Sequence, residues 1–202
     1  MFLYNFNMKI GLALVMGYLF GSIPFAIIVS RIKGIDIRKV GSGNPGAANV
    51  FREVGKPYGL LVWALDMLKG IIPMWIARDF LNLHPFFVGL TGIAAVAGHC
   101  WSIFLRFKGG KGVATSGGVF LYLFPWFFPI AVVTYFAIQR APRNPVVVIS
   151  GFVFALGLAL FIYRRFIHWA LPFFIIFLIV GIIANREALR EMRHENMGKK
   201  DI

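Results

Sequence analysis

Apolar residues along this chain run in long unbroken stretches rather than in the alternating or helical stripes of a soluble fold, and each stretch stops at charges or at proline. A helix needs about 20 apolar residues to cross roughly 30 Å of hydrocarbon. Stretches of about that length cover 10–30, 58–77, 85–104, 146–163 and 166–184. The first follows Lys9 and could pass for a secretory leader, but it is too long and leads into further spans, so it reads as a span itself. The pattern predicts an all-α, polytopic integral membrane protein.

Residues 115–138 are ambiguous, because Pro125 and Pro129 lie inside them and an interior proline removes a backbone bond and clashes with the preceding turn. The segment is either one kinked span or two shorter ones. Lys and Arg collect in cytoplasmic loops, so charge placement discriminates. Splitting near Pro125 gives seven spans with the N-terminus outside and the C-terminus cytoplasmic. Sixteen Lys and Arg residues then lie on the inner side, against Lys9, Arg78, Arg164 and Arg165 on the outer. Six spans would leave eleven inside and nine outside. Seven is therefore the expected number, with a short fourth helix at about 116–124, roughly 15 Å long at 1.5 Å per residue.

Composition agrees: 59% of the 202 residues are hydrophobic and 14% charged, against roughly 25% charged in globular domains. Too little chain lies outside the spans for a second folded unit, so residues 1–202 form a single membrane-embedded domain. The net charge of +13 reads as the topological excess of cytoplasmic Lys and Arg, with no nucleic-acid partner. Cys100 is the only cysteine, which rules out an intrachain disulfide and a thiolate cluster. No metal site and no cofactor are expected.

Two glycine-rich segments interrupt the apolar runs. The first, Gly41-Ser42-Gly43-Asn44-Pro45-Gly46, has a Gly-x-Gly-x-x-Gly spacing, but it follows a span and a basic loop instead of a strand, so no dinucleotide fold is implied. What remains is local physics. Glycines allow positive φ and leave amides accessible, so successive N–H groups can curve around an anion. Ser42, Asn44 and Asn49 add neutral donors, and Arg52 adds a planar fork suited to phosphate.

The second segment, Lys108-Gly109-Gly110-Lys111-Gly112, lacks Walker spacing, which argues against ATP hydrolysis. Its lysines flank glycine amides just before Thr115 and Ser116, good capping types for the short helix, whose positive end favours phosphate. The alternative for both segments is a solvated basic connector. In the second span, Asp66 and Lys69 lie three apart and fit a structural pair on one helical face, since a lone charge there costs about 2.5 to 3.5 kcal/mol.

Gly41 through Arg52, and Gly98-His99 followed by Phe107 through Thr115, together resemble the first two signature motifs of the bacterial acyl-phosphate:glycerol-3-phosphate acyltransferases, the PlsY-type membrane enzymes. The likeness extends to Asp66-Met67-Leu68-Lys69-Gly70 and the seven-span layout. It implies transfer of a fatty acyl group from acyl phosphate to glycerol 3-phosphate at the cytoplasmic face of a bacterial inner membrane. The products would be 1-acylglycerol 3-phosphate and inorganic phosphate, with membrane lipid and the enzyme that makes acyl phosphate as further partners. By the same resemblance Ser42 and Arg52 take the essential serine and arginine positions. Gly109, Gly110 and Gly112 take the glycerol-phosphate-binding positions and Lys111 the motif's second lysine, while Lys108, Asn44 and Asn49 join the substrate-binding set on their local chemistry. His99 takes the motif's histidine, with a helix-end histidine bonded to a carbonyl as its alternative.

The chain departs from the family pattern where Ala48 replaces Thr and Ser102 replaces Pro. The third motif reads Asn185-Arg186-Glu187-Ala188-Leu189 in register, losing its His and Asn; Arg193-His194-Glu195-Asn196-Met197 holds those residue types only after a shift of more than two turns. Asn185 can replace the histidine's hydrogen bonding but cannot act as a base, and an oxygen of the donor's own phosphate then becomes a candidate proton acceptor beside His99. Two other classes remain open: an organophosphate transporter, against which no matching halves are found, and an inactive relative.

Overall fold

The computed structural model describes residues 2–125 and Pro129, and every regular element among them is helical. The helices are α1 (Phe2–Ser22), α2 (Phe25–Arg31), α3 (Ala47–Glu53), α4 (Lys56–Asp79), α5 (Pro85–Cys100) and α6 (Val113–Leu123), with 3₁₀ turns at Ile37–Lys39 and Ile103–Leu105. Three stretches are long and apolar enough to cross a membrane: Phe6–Arg31, Lys56–Asp79 and Pro85–Leu105. They coincide with the expected spans at 10–30, 58–77 and 85–104. Leu12 and Val15 on α1, and Leu60, Trp63 and Trp75 on α4, point outward, as lipid-facing side chains do. The spans expected at 146–163 and 166–184, together with Asn185, lie outside the described residues.

Small residues let the helices approach backbone to backbone, the mode of packing available where lipid removes the hydrophobic drive between helices. A Cβ added at Gly21 would overlap the Ala95 carbonyl, and one at Gly98 the Tyr18 carbonyl, so α1 and α5 cross in direct contact. α4 and α6 meet likewise, with Gly118 against the Met67 carbonyl and Gly70 against that of Thr115. One buried cluster, including Ala13, Met74, Val96 and Val119, fills the space between α1, α4, α5 and α6. A second, including Ile27, Ile37, Val50 and Val62, anchors α2 and α3 to α4.

Two expectations require correction. The first span is not one helix: α1 stops at Ser22 and α2 starts at Phe25, on either side of Ile23 and Pro24. Pro24 brings no N–H, so the break frees carbonyls at membrane depth, and those need partners from elsewhere in the protein. Ser102 Oγ donates to the Ser22 carbonyl at 2.6 Å, and Lys69 Nζ joins the Phe25 amide on the Ile23 carbonyl, at 2.9 and 3.1 Å. The short helix, in turn, starts at Val113 and not near Ser116. Its cap is Gly112 at φ +78°, a left-handed geometry suited to glycine, so Thr115 and Ser116 sit inside the first turn instead of capping it. At 11 residues it is about 16 Å long.

Candidate active site

The first glycine-rich segment is organised by Asn49, a fully buried residue in the first turn of α3. Its Nδ2 donates to the Ile37 and Val40 carbonyls, each at 3.1 Å, and its Oδ1 accepts the Ser42 amide at 3.1 Å. Upstream, Asp36 caps the 3₁₀ turn by accepting from the Arg38 amide, while its carboxylate pairs with both ends of the Arg38 guanidinium. The side-chain hydrogen bond from Arg38 holds the Asp36 carboxyl below its ordinary range. The turn closes where the Gly43 amide donates to Val40, with Gly43 at φ +66°.

This geometry changes the expected roles. The amides of Ser42, Gly43, Asn44 and Gly46 donate within the loop, to Asn49 Oδ1, Val40 O, Ser42 Oγ and Asn44 O, so they do not form an open anion nest. Asn49 spends its amide group on the loop and shapes it. Ser42 and Arg52 remain exposed, as does Ala48, while Asn44 is half-buried.

The second segment folds back onto the end of α5. The Gly109 amide donates to the Cys100 carbonyl at 3.0 Å and the Gly110 amide to the His99 carbonyl at 3.1 Å, so these two N–H groups close a helix C-terminus and do not face an anion. The glycines are still required here: a Cβ on Gly109 would overlap the His99 carbonyl. Lys108 and Lys111 are exposed, and the first turn of α6 follows directly. The unsatisfied amides and positive end of that turn are the part of the phosphate expectation that the fold keeps.

Both segments meet at His99. A Cβ on Gly110 would run into His99 Nε2 and would lie 3.1 Å from the Pro45 carbonyl, so one residue from each loop packs around the imidazole edge. A small cavity opens there. Pro45, Gly110 and His99 line it, together with the polar Asp66, Lys69, Ser22 and Ser102 and the apolar Ile23, Phe25 and Leu105. Its floor is charged: Lys69 Nζ lies 2.7 Å from Asp66 Oδ1, and both side chains are nearly fully buried. His99 Nδ1 faces the same carboxylate oxygen at 3.8 Å.

The helix-end alternative for His99 accordingly fails, since its ring faces a carboxylate and the cavity, and its Nδ1 has no hydrogen-bond partner among the described residues. The structure brings His99 and Gly110 into the cavity lining, while Ser42, Arg52, Lys108 and Lys111 stand on the two segments outside it. The structural pairing expected for Asp66 and Lys69 is present, and the pair also lines the cavity. What sequence did not give is the neighbour, His99, which comes from another helix and faces the same carboxylate.

A family description, "Glycerol-3-phosphate acyltransferase", matches residues 11–195. The chain belongs to the glycerol-3-phosphate acyltransferase family. A Thermosipho melanesiensis relative of that name is 37% identical over 199 residues, covering 93% of this chain and 90% of the relative. Another from Thermus thermophilus is 50% identical over 123 residues, 59% of this chain and 61% of the relative. Among solved structures, the chain is similar to PlsY (YgiH), an integral membrane glycerol 3-phosphate acyltransferase, in its glycerol 3-phosphate form, with a TM-score of 0.77, 35% identity and 92% coverage of each chain. Its lysphosphatidic acid form superposes equally well. This family member therefore has a fold shared with an integral membrane acyltransferase.

Proposed function

We propose that the chain moves a fatty acyl group from acyl phosphate to glycerol 3-phosphate, giving 1-acylglycerol 3-phosphate (lysophosphatidic acid) and inorganic phosphate. The observation that carries this reading is the convergence of Pro45 and Gly110, one from each glycine-rich segment, on His99 above the buried Asp66–Lys69 pair. The small cavity at that junction is lined by both polar and apolar side chains.

Acyl phosphate is already activated, so the protein mainly has to hold two phosphate-bearing substrates in attack geometry and offset their repulsion. Arg52, Lys108, Lys111 and the first turn of α6 supply positive charge, and Ser42, Asn44 and Asn185 supply neutral hydrogen bonds, with Asn49 shaping the loop that carries Ser42. The glycerol hydroxyl attacks the acyl carbonyl, the carbonyl–phosphate C–O bond breaks, and the hydroxyl proton passes to an oxygen of the departing phosphate. Before attack, His99 Nε2 accepts the hydroxyl's hydrogen bond and aims its oxygen, and the proton turns to the phosphate as the carbonyl–phosphate bond breaks. Ile23, Phe25 and Leu105 take the first part of the acyl chain. In the seven-span topology expected from the charge distribution, both segments lie on the cytoplasmic face of a bacterial inner membrane, within reach of the enzyme that makes acyl phosphate.

The test is a product balance with protein purified in detergent. One phosphate and one 1-acylglycerol 3-phosphate should form per turnover, with or without chelator, and an acyl thioester should not replace acyl phosphate. His99→Ala should slow kcat by no more than about a hundredfold, the scale of a misaimed nucleophile. A loss of about ten-thousandfold at unchanged KM would make His99 the base instead. No phosphate release, with uptake of glycerol 3-phosphate into proteoliposomes, would make the protein a transporter; neither activity would make it an inactive relative.

A further inference from the structure

We propose that Asp66 positions His99 for the reaction, and that its carboxylate does more than neutralise Lys69. This rests on the acyltransferase reading of the cavity.

Asp66 and Lys69 are one turn apart on the same face of α4, and His99 comes from the last turn of α5. The imidazole thus sits between two elements with different demands. Its Nδ1 edge faces Asp66 Oδ1 at 3.8 Å, and its Nε2 edge faces Gly110 and the cavity. A carboxylate on one ring nitrogen keeps the proton there and leaves the other nitrogen's lone pair outward. With Asp66 at Nδ1, that lone pair is the one a substrate hydroxyl meets.

The carboxylate has acceptor capacity to spare. Lys69 takes only part of it and also donates to the Ile23 carbonyl. Asp66 Oδ2 has no hydrogen-bond partner among the described residues, and neither does His99 Nδ1, although both residues are buried. Two buried complementary groups left open toward each other are costly unless some state of the protein joins them. At 3.8 Å they fall short of a hydrogen bond, and catalytic hydrogen bonds commonly tighten only in the substrate complex. Lys69, held by Asp66 and the helix break together, fixes where the carboxylate can stand.

A purely structural Asp66 and a positioning Asp66 differ when both charges are removed at once. Asp66→Asn/Lys69→Gln leaves no unpaired buried charge and keeps a donor for the Ile23 carbonyl. If Asp66 positions His99, this variant should fold, keep its KM for glycerol 3-phosphate and lose at least about tenfold in kcat, the scale seen for residues that orient a histidine. In a His99→Ala background the same pair should cost nothing further. The ¹⁵N ring signals that disappear in His99→Gln should report Nδ1–H in the wild type and shift toward Nε2–H in the pair variant. Wild-type kcat with an unchanged tautomer, or a loss that adds in full to His99→Ala, would overturn the proposal. Should the wild type show no turnover, the acyltransferase reading fails by itself, and the ring tautomer still decides whether Asp66 sets His99. A pair variant that does not fold is replaced by Asp66→Glu: in the tautomer measurement it should keep Nδ1–H, and a flipped ring would count against the proposal.

Discussion

Gly110→Ala is expected to lower kcat/KM by up to about a hundredfold, since misplacing a reacting group by about an ångström can cost that much. The added methyl would run into His99 Nε2 and stand 3.1 Å from the Pro45 carbonyl. Room can be made in only two ways. Either the imidazole swings off its line between Asp66 and the cavity, or the second loop lifts away from the first and stretches the Gly110-to-His99 backbone hydrogen bond. Both open the junction on which the function rests. Gly11→Ala is the matched control: a Cβ there meets nothing within 4 Å and lies in a helix that alanine favours, so activity should be unchanged. Steady-state rates of the two detergent-purified variants check this, and Gly110→Ala with wild-type kcat/KM would show that the loops do not meet in the working enzyme.

Lys69→Met is expected to destabilise the protein by about 3–5 kcal/mol, the range for removing one partner of a buried ion pair. The cost does not mean that the pair is itself strongly stabilising. Taking two charges out of water offsets most of their attraction, and a well-packed apolar pair of the same volume can do as well. What hurts is the residue left behind: Asp66 would keep a buried charge, and the Ile23 carbonyl at the break between α1 and α2 would lose its 2.9 Å ammonium donor. For a chain of this size the shift should be about 10 °C in melting midpoint. Asp66→Asn/Lys69→Met should recover much of it, because no charge remains unpaired. A midpoint for Lys69→Met within error of the wild type would mean that the pair is hydrated and the floor of the cavity is wet.

How much of this was legible in the sequence depends on how locally each feature is encoded. The spans at 58–77 and 85–104 were readable because a run of apolar residues between charges has one outcome in lipid. The break at Ile23–Pro24 was not, although Pro24 was in plain view. Whether a proline kinks a helix or ends it depends on whether distant groups satisfy the freed carbonyls, and those groups are Ser102 and Lys69. Ser102, read from the sequence as a tolerable departure from the motif, donates to the Ser22 carbonyl at the end of α1. The glycine-rich segments were found by composition, but composition does not say where an amide points. Gly109 and Gly110 face the end of α5, a long-range choice made by α5 packing closely on α1 through Gly98 and Gly21. For Asp66 only half of the surroundings was legible. Its ion pair with Lys69 is visible three residues away, whereas His99 is more than thirty residues downstream.

The central claim is that both phosphate-bearing substrates occupy one pocket together and that the acyl group passes directly between them. The initial-velocity pattern with acyl phosphate and glycerol 3-phosphate varied against each other tests it most directly. Intersecting reciprocal plots are predicted, as for a complex that holds both substrates at once. Parallel plots, the mark of an acyl-enzyme formed before the second substrate binds, would contradict the claim.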